Sequence, residues 1–129
     1  ARNWQEIDIY VSTADGLYRY APPTHALRLI HGKDIRALTG GQAFVGTAPV
    51  NLIYVANFSR ITASKPADKT FYSAADTGFI SQNVYLYCAS EGLATVVRGL
   101  VNRPALAKVM QLNPDQRITL AQSVGYPGR

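Results

Sequence analysis

The chain has 129 residues, 47% of them hydrophobic and 16% charged, with 10 glycines and 7 prolines. That length suits one domain with a single substantial core, and the composition excludes an intrinsically disordered or collagen-like chain. The formal net charge is +5, and +4 of it falls after Gly92, where Arg98, Arg103, Lys108, Arg117 and Arg129 face Asp115 alone. These bases are scattered, with no Lys/Arg run and no aromatic-basic motif, which suits a phosphate-bearing small molecule better than nucleic acid. No apolar run approaches the ~20 residues that a membrane span needs. Cys88 is the only cysteine, so neither an internal disulfide nor a cysteine-based metal site of normal ligand count can form. Between Tyr87 and Ala89 it reads as a small buried hydrophobe.

In chain order, Glu6 to Ser12 alternates, with Ile7, Ile9 and Val11 against Asp8, Tyr10 and Ser12, the two-residue period of a strand with one buried side. Ala14-Asp15-Gly16 signals a turn, and Leu17 to Tyr20 returns as a partner strand that stops at Pro22-Pro23. Lys33 to Leu38 suggests a short helix ended by Gly40-Gly41. Val50 to Ala56 is nearly all apolar and predicts a central strand covered on both faces.

Ser59 to Lys69 is polar and reads as an exposed loop. The longest helix is predicted to start at Ser73, with Asp76 completing a capping box, and to carry Ile80, Val84, Tyr87 and Cys88 as its apolar stripe until Gly92. Asn83 falls on that stripe and is expected to be a buried structural amide. A shorter helix follows, with Asn102 as cap, Pro104 in its first turn and Leu106, Val109 and Met110 inward, closed by Asn113-Pro114. Arg117 to Val124 is the last strand. Together these elements predict an α+β sandwich with a mixed, mostly antiparallel sheet and one long central helix, without repeats or a dividing linker.

The common chemical motifs are missing: no GxGxxG after a strand, no Walker loop, no HExxH and no GxSxG. His25 and His31 lie near polar boundaries with no second ligand spaced to meet them, and read as solvated or capping residues. Neither a metal hydrolase nor a Ser-His-Asp enzyme follows from such a set. Three segments carry more. Arg2-Asn3-Trp4-Gln5 presents two amides at the entrance of the first strand, either as a ligand-facing pair for a planar heterocycle or as a turn with a surface amide. Gly92 to Gly99 is bounded by glycines and contains Val96-Val97-Arg98, which suits close backbone approach to a flat ligand or, equally, a short buried strand. Gly125-Tyr126-Pro127-Gly128-Arg129 ends the chain on a cation.

In order, these segments resemble the FMN-dependent nitroreductases, especially their SagB-like dehydrogenase branch. Asn3-Trp4-Gln5 is similar to the family's Asn-x-Gln element, and Asp15-Gly16-Leu17-Tyr18-Arg19-Tyr20 with His25-Ala26-Leu27 to the hairpin of that branch. Asp76-Thr77-Gly78, Gln82-Asn83 and Gly92-Leu93 resemble the family's long helix, and Val124-Gly125-Tyr126-Pro127 its closing strand.

The resemblance implies an FMN at a homodimer interface, reduced by NADH or NADPH and reoxidised by a nitroaromatic, quinone or related acceptor. Asn3 and Gln5 would bind the polar edge of the flavin ring, and Val97, Arg98 and Gly99 would lie along it near N5. There the Arg98 cation would favour the reduced anionic ring, and Arg129 would reach toward the FMN phosphate. The hydride chemistry is the cofactor's, so no catalytic acid or base is assigned. An azoline-oxidising dehydrogenase of the SagB kind, or a flavin-binding module without turnover, are the alternatives. The family's opening helices, which carry an Arg/Ser-rich phosphate grip, are not matched. The expectation is a single domain over 1–129 without them, with an incomplete flavin site and FMN held less firmly than by the whole domain.

Overall fold

A computed structural model describes residues 2–62 and 65–128. Six strands form one sheet: β1 (Ile7–Thr13), β2 (Gly16–Ala21), β3 (Ala26–His31), β4 (Val50–Asn57), β5 (Ala94–Arg98) and β6 (Gln116–Gly125), in the spatial order β3-β2-β1-β4-β6-β5. Two helices cover it, α1 (Pro66–Glu91) and α2 (Arg103–Val109). The architecture is the predicted α+β sandwich, with every strand pairing antiparallel rather than mixed. The reason is topological. Strands β4 and β5 run in the same direction, and β6 returns between them, so the parallel pair never becomes neighbours.

Alternation alone does not give the buried face: in β1 Tyr10 and Ser12 are buried, whereas Ile7, Ile9 and Val11 are only half-buried. Tyr10, Leu17, Ile53, Val55 and Ile118 point to the side covered by α2, where Leu106 and Met110 complete the main core. Asn102 caps α2 as expected, its side chain accepting from the Ala105 N–H. Strand β4 is central, as its apolar run predicts, with Ile53, Tyr54, Val55 and Ala56 fully buried.

Four expectations require correction. First, α1 begins at Pro66, not Ser73, so the predicted loop already contains its first turn; Pro fixes the φ that opens a helix, which outweighs the polar sequence around it. Ser73 is instead buried inside the helix, its hydroxyl donating to Lys69 O at 2.7 Å. Second, the inward face of α1 is Ser73, Thr77, Ser81 and Cys88, whereas Tyr87 and Asn83 are exposed. Small residues let the helix lie close to the sheet, and that close approach displaces the larger apolar stripe sideways and outward. Third, Lys33 to Leu38 yields only a 3-10 turn at Arg36–Thr39. Fourth, β2 stops before Pro22-Pro23 as expected, but the hairpin gains a third strand: His25 turns left-handed (φ 47°) and starts β3, an edge strand whose exposed Leu27 and Leu29 carry no burial signal to predict it. The segment after Gly92 is a strand, β5, as the alternative reading has it, but it lies at the sheet edge with Arg98 alone buried rather than being a buried strand. Gly92 caps α1 at φ 69°, with its N–H returned to Cys88 O.

Gly16 closes the β1–β2 turn at φ 156°, and a Cβ placed there would stand 2.7 Å from the backbone oxygen of His31. The neighbour is main chain in β3 and cannot swing aside. Gly16→Ala is therefore expected to lower the unfolding free energy by ~1–3 kcal/mol, read from the midpoint of chemical denaturation.

Candidate functional site

The amide element before β1 is held in an uncommon backbone shape. Asn3 and Gln5 both sit at φ 52°, and Arg2 at 56°. The left-handed region is tolerable for Asn but costs a long side chain such as Gln about 1–2 kcal/mol, so the surroundings must impose it. Two anchors do. Trp4 donates from Nε1 to Thr62 Oγ1 at 3.0 Å and packs edge-on against Tyr72 of α1, ring centroids 5.7 Å apart. Arg60 donates to the Gln5 carbonyl at 3.2 Å while pairing with both carboxylate oxygens of Asp8, at 2.8 and 3.1 Å. The outcome is a defined presentation of both amides, with Gln5 Nε2 donating to Asn3 Oδ1 at 3.1 Å.

These amides stand at a cleft of about 280 Å³ between the start of β1 and α1, lined also by Trp4, Glu6, Asp76 and Phe79. Asp76 faces this cleft from the middle of α1 rather than capping its start. Glu6 is 2% exposed, and burial together with the neighbouring Asp76 carboxyl pushes its pKa up to about 7. Asp76, nearer solvent, is held below the usual carboxylate range. Sequence reading passed over Glu6 entirely; an acid at the inward position of a strand entrance was the available signal.

The second predicted segment forms the far edge of the sheet. The Val97 N–H is donated to Tyr85 Oη of α1 at 2.8 Å, and Gly99 is exposed just beyond the strand. Ile7 pairs with Ala56, Ala56 with Arg117, and Arg98 with Ala121, which puts the amide element and Gly99 toward the same end of the sheet. The three strand spacings from β1 to β5 amount to ~14 Å. The two predicted halves therefore share an end of the molecule without touching inside one chain. Arg129 lies outside the described residues.

Arg98 departs from the expectation of a cation beside a ligand. It is 3% exposed, and its guanidinium points into the opposite face of the sheet. There it donates to Ser123 Oγ (2.9 Å), Thr39 O (2.6 Å), Thr39 Oγ1 (3.2 Å) and Asn51 Oδ1 (2.9 Å). All are neutral acceptors, and burial pulls its pKa down. A Cβ on Gly40 would fall on Nη1, so glycine is required there by space rather than by φ. What Arg98 can offer a ligand is main chain, not charge. Asn51, a lone amide in an apolar strand run, was the signal in the sequence that a buried polar partner existed.

The family model described as the nitroreductase family matches residues 1–126. The chain belongs to the nitroreductase family. A Methanocaldococcus jannaschii protein named as a nitroreductase is 31% identical over 117 residues, covering 82% of this chain and 59% of that protein. The crystal structure of a nitroreductase from Ralstonia eutropha JMP134 superposes with a TM-score of 0.90 at 46% identity, over 97% of this chain and 60% of that one. An NADPH:FMN oxidoreductase from Vibrio harveyi, complexed with NAD+, shares the fold with a TM-score of 0.74 at 19% identity, over 100% of this chain and 54% of that one. The chain thus spans about 60% of the length of the relatives it matches first.

Removing the Arg98 charge leaves the Thr39 carbonyl and hydroxyl and the Ser123 hydroxyl without the donor they accept from, while Asn51 Oδ1 keeps only the Ser123 hydroxyl. Arg98→Met is expected to cost about 2–3 kcal/mol of unfolding free energy. Denaturation by urea is the measurement, and a loss under about 0.5 kcal/mol would show the network to be dispensable.

Proposed function

We propose that this nitroreductase-family chain supplies much of the flavin site of an FMN-dependent oxidoreductase that passes hydride from NADH or NADPH to a nitroaromatic, quinone or similar acceptor. The observation that carries this reading is the pair of amides, Asn3 and Gln5, fixed in left-handed backbone at the mouth of a cleft by Trp4 and Arg60. Amides present donor and acceptor side by side, the pattern that the polar edge of a flavin ring requires. The Vibrio harveyi neighbour, an NADPH:FMN oxidoreductase by name, supports the choice of cofactor and reductant.

When bound, the flavin supplies the hydride chemistry. The chain's part is positional. Asn3 and Gln5 would hold the polar edge, and Trp4 and Phe79 would exclude water beside it. The main chain of Arg98 and Gly99 would flank a ring shared with a second subunit, with Val97 Cβ and Cγ atoms on the α1 side; the Val97 N–H already serves Tyr85. The cleft is far smaller than a whole FMN, which fits a site completed by other elements. Arg129 would serve the phosphate. A homodimer through α1 answers both this and the helix's outward face, where Phe79 is 68% and Leu86 59% exposed. Contiguous exposed apolar groups of this kind mark contact surfaces.

Two measurements test the reading. The purified protein should show the absorption bands of oxidised flavin, and these should bleach on adding NADH or NADPH under argon. Yellow protein that never bleaches would make it a flavin-binding module without turnover, and oxidation confined to azoline-bearing peptides would make it a SagB-type dehydrogenase. Leu86→Glu places a charge on the outward face of α1 and is expected to convert a dimer to a monomer in sedimentation, with loss of retained flavin.

A further inference from the structure

Glu6 directly follows the amide element, lines the same cleft, and is buried. Its Oε1 has no hydrogen-bond partner, while its carboxyl meets that of Asp76 from α1. Two carboxyl groups in hydrogen-bond contact cannot both be ionised without strong repulsion, so one proton is kept between them. Burial is unequal, and the buried member, Glu6, retains that proton while the more open Asp76 keeps the negative charge. With the proton held between the two carboxyls, the unpaired Oε1 is an acceptor in the cleft wall, a position for an N–H or O–H donor.

We propose that the Glu6–Asp76 carboxyl pair stores one proton in the wall of the Asn3/Gln5 cleft and couples it to occupancy, an anionic heteroaromatic ligand being held with the proton in place. This rests on the flavin reading for the ligand's identity, but the stored proton itself does not. Few other charges face the pair. From the β1 side there are Asp8 and Arg60, which neutralise each other. Arg2 lies over the Trp4 ring, 5.9 Å from its centroid. As pH rises through about 7, Glu6 gives up its proton. The cleft wall then carries a second negative charge, and an anionic ligand is repelled.

The first test needs no cofactor. Side-chain carboxyl carbons of the ¹³C-glutamate-labelled protein are followed by NMR from pH 5 to 9. One resonance should titrate near neutrality, vanish in Glu6→Gln, and move to lower pH in Asp76→Asn, where the like charge is gone. A Glu6 carboxyl already ionised across this range overturns the proposal. The second test titrates FMN at pH 6 and pH 8. One linked proton should make binding roughly tenfold weaker at the higher pH, and Glu6→Gln should flatten this dependence. Equal affinity at both pH values in the parent protein overturns the coupling. No FMN binding at either pH, with the NMR titration present, overturns the flavin reading and leaves the stored proton standing.

Discussion

The close seating of α1 on the sheet is the constraint from which the rest follows. Its inward residues are Ser73, Thr77, Ser81 and Cys88, all small, and the hydroxyls of Ser73 and Thr77 are paired. Ser73 and Thr77 bond back to the carbonyls of Lys69 and Ser73, Thr77 also meets Thr119 Oγ1 at 2.8 Å, and Gln122 Nε2 reaches the Ser81 carbonyl at 3.5 Å. Beneath them Tyr54 donates to Gln122 Oε1 at 2.6 Å, and burial raises the phenol's pKa. A polar seam of this kind is directional, so it fixes the helix's rotation as well as its distance.

That rotation is what makes α1 the spine of the candidate site. Tyr72 steadies Trp4, Asp76 meets Glu6, Phe79 lines the cleft, and Tyr85 takes the Val97 N–H of β5. From Tyr72 to Tyr85 the helix advances ~20 Å at 1.5 Å per residue. One rigid element therefore sets both predicted halves of the site relative to each other, although they lie on separate strands.

Two buried charges are handled in opposite ways. Arg98 stays ionised and is solvated by neutral oxygens from Thr39, Asn51 and Ser123, which ties a loop to three strands of the sheet. Glu6 gives up its charge by keeping a proton. Guanidinium cannot take the second route because it does not deprotonate at accessible pH, whereas a carboxyl buried beside a like charge readily keeps its proton and stays neutral. The first arrangement contributes rigidity. The second leaves a titratable group beside the amides.

The sequence alone determined the elements whose signals are local. Alternation set β1 and β2, an apolar run set β4, Asn102 and Pro104 set α2, and Gly92 ended α1. It also placed Asn3 and Gln5 at a strand entrance, and the ordered motifs indicated the family. What only the tertiary structure decided was orientation. Ser73 looks like a cap, Asp76 like its partner and Arg98 like a free cation when each is read beside its sequence neighbours. Ser73 is seated against the sheet with its hydroxyl returned to Lys69 O, while Asp76 and Arg98 turn elsewhere because residues 59 to 70 positions away, Thr39 for Arg98 and Glu6 for Asp76, supply the contact. Hydrogen-bond partners and burial are properties of the assembled sheet and helix, and no window of neighbouring residues contains them.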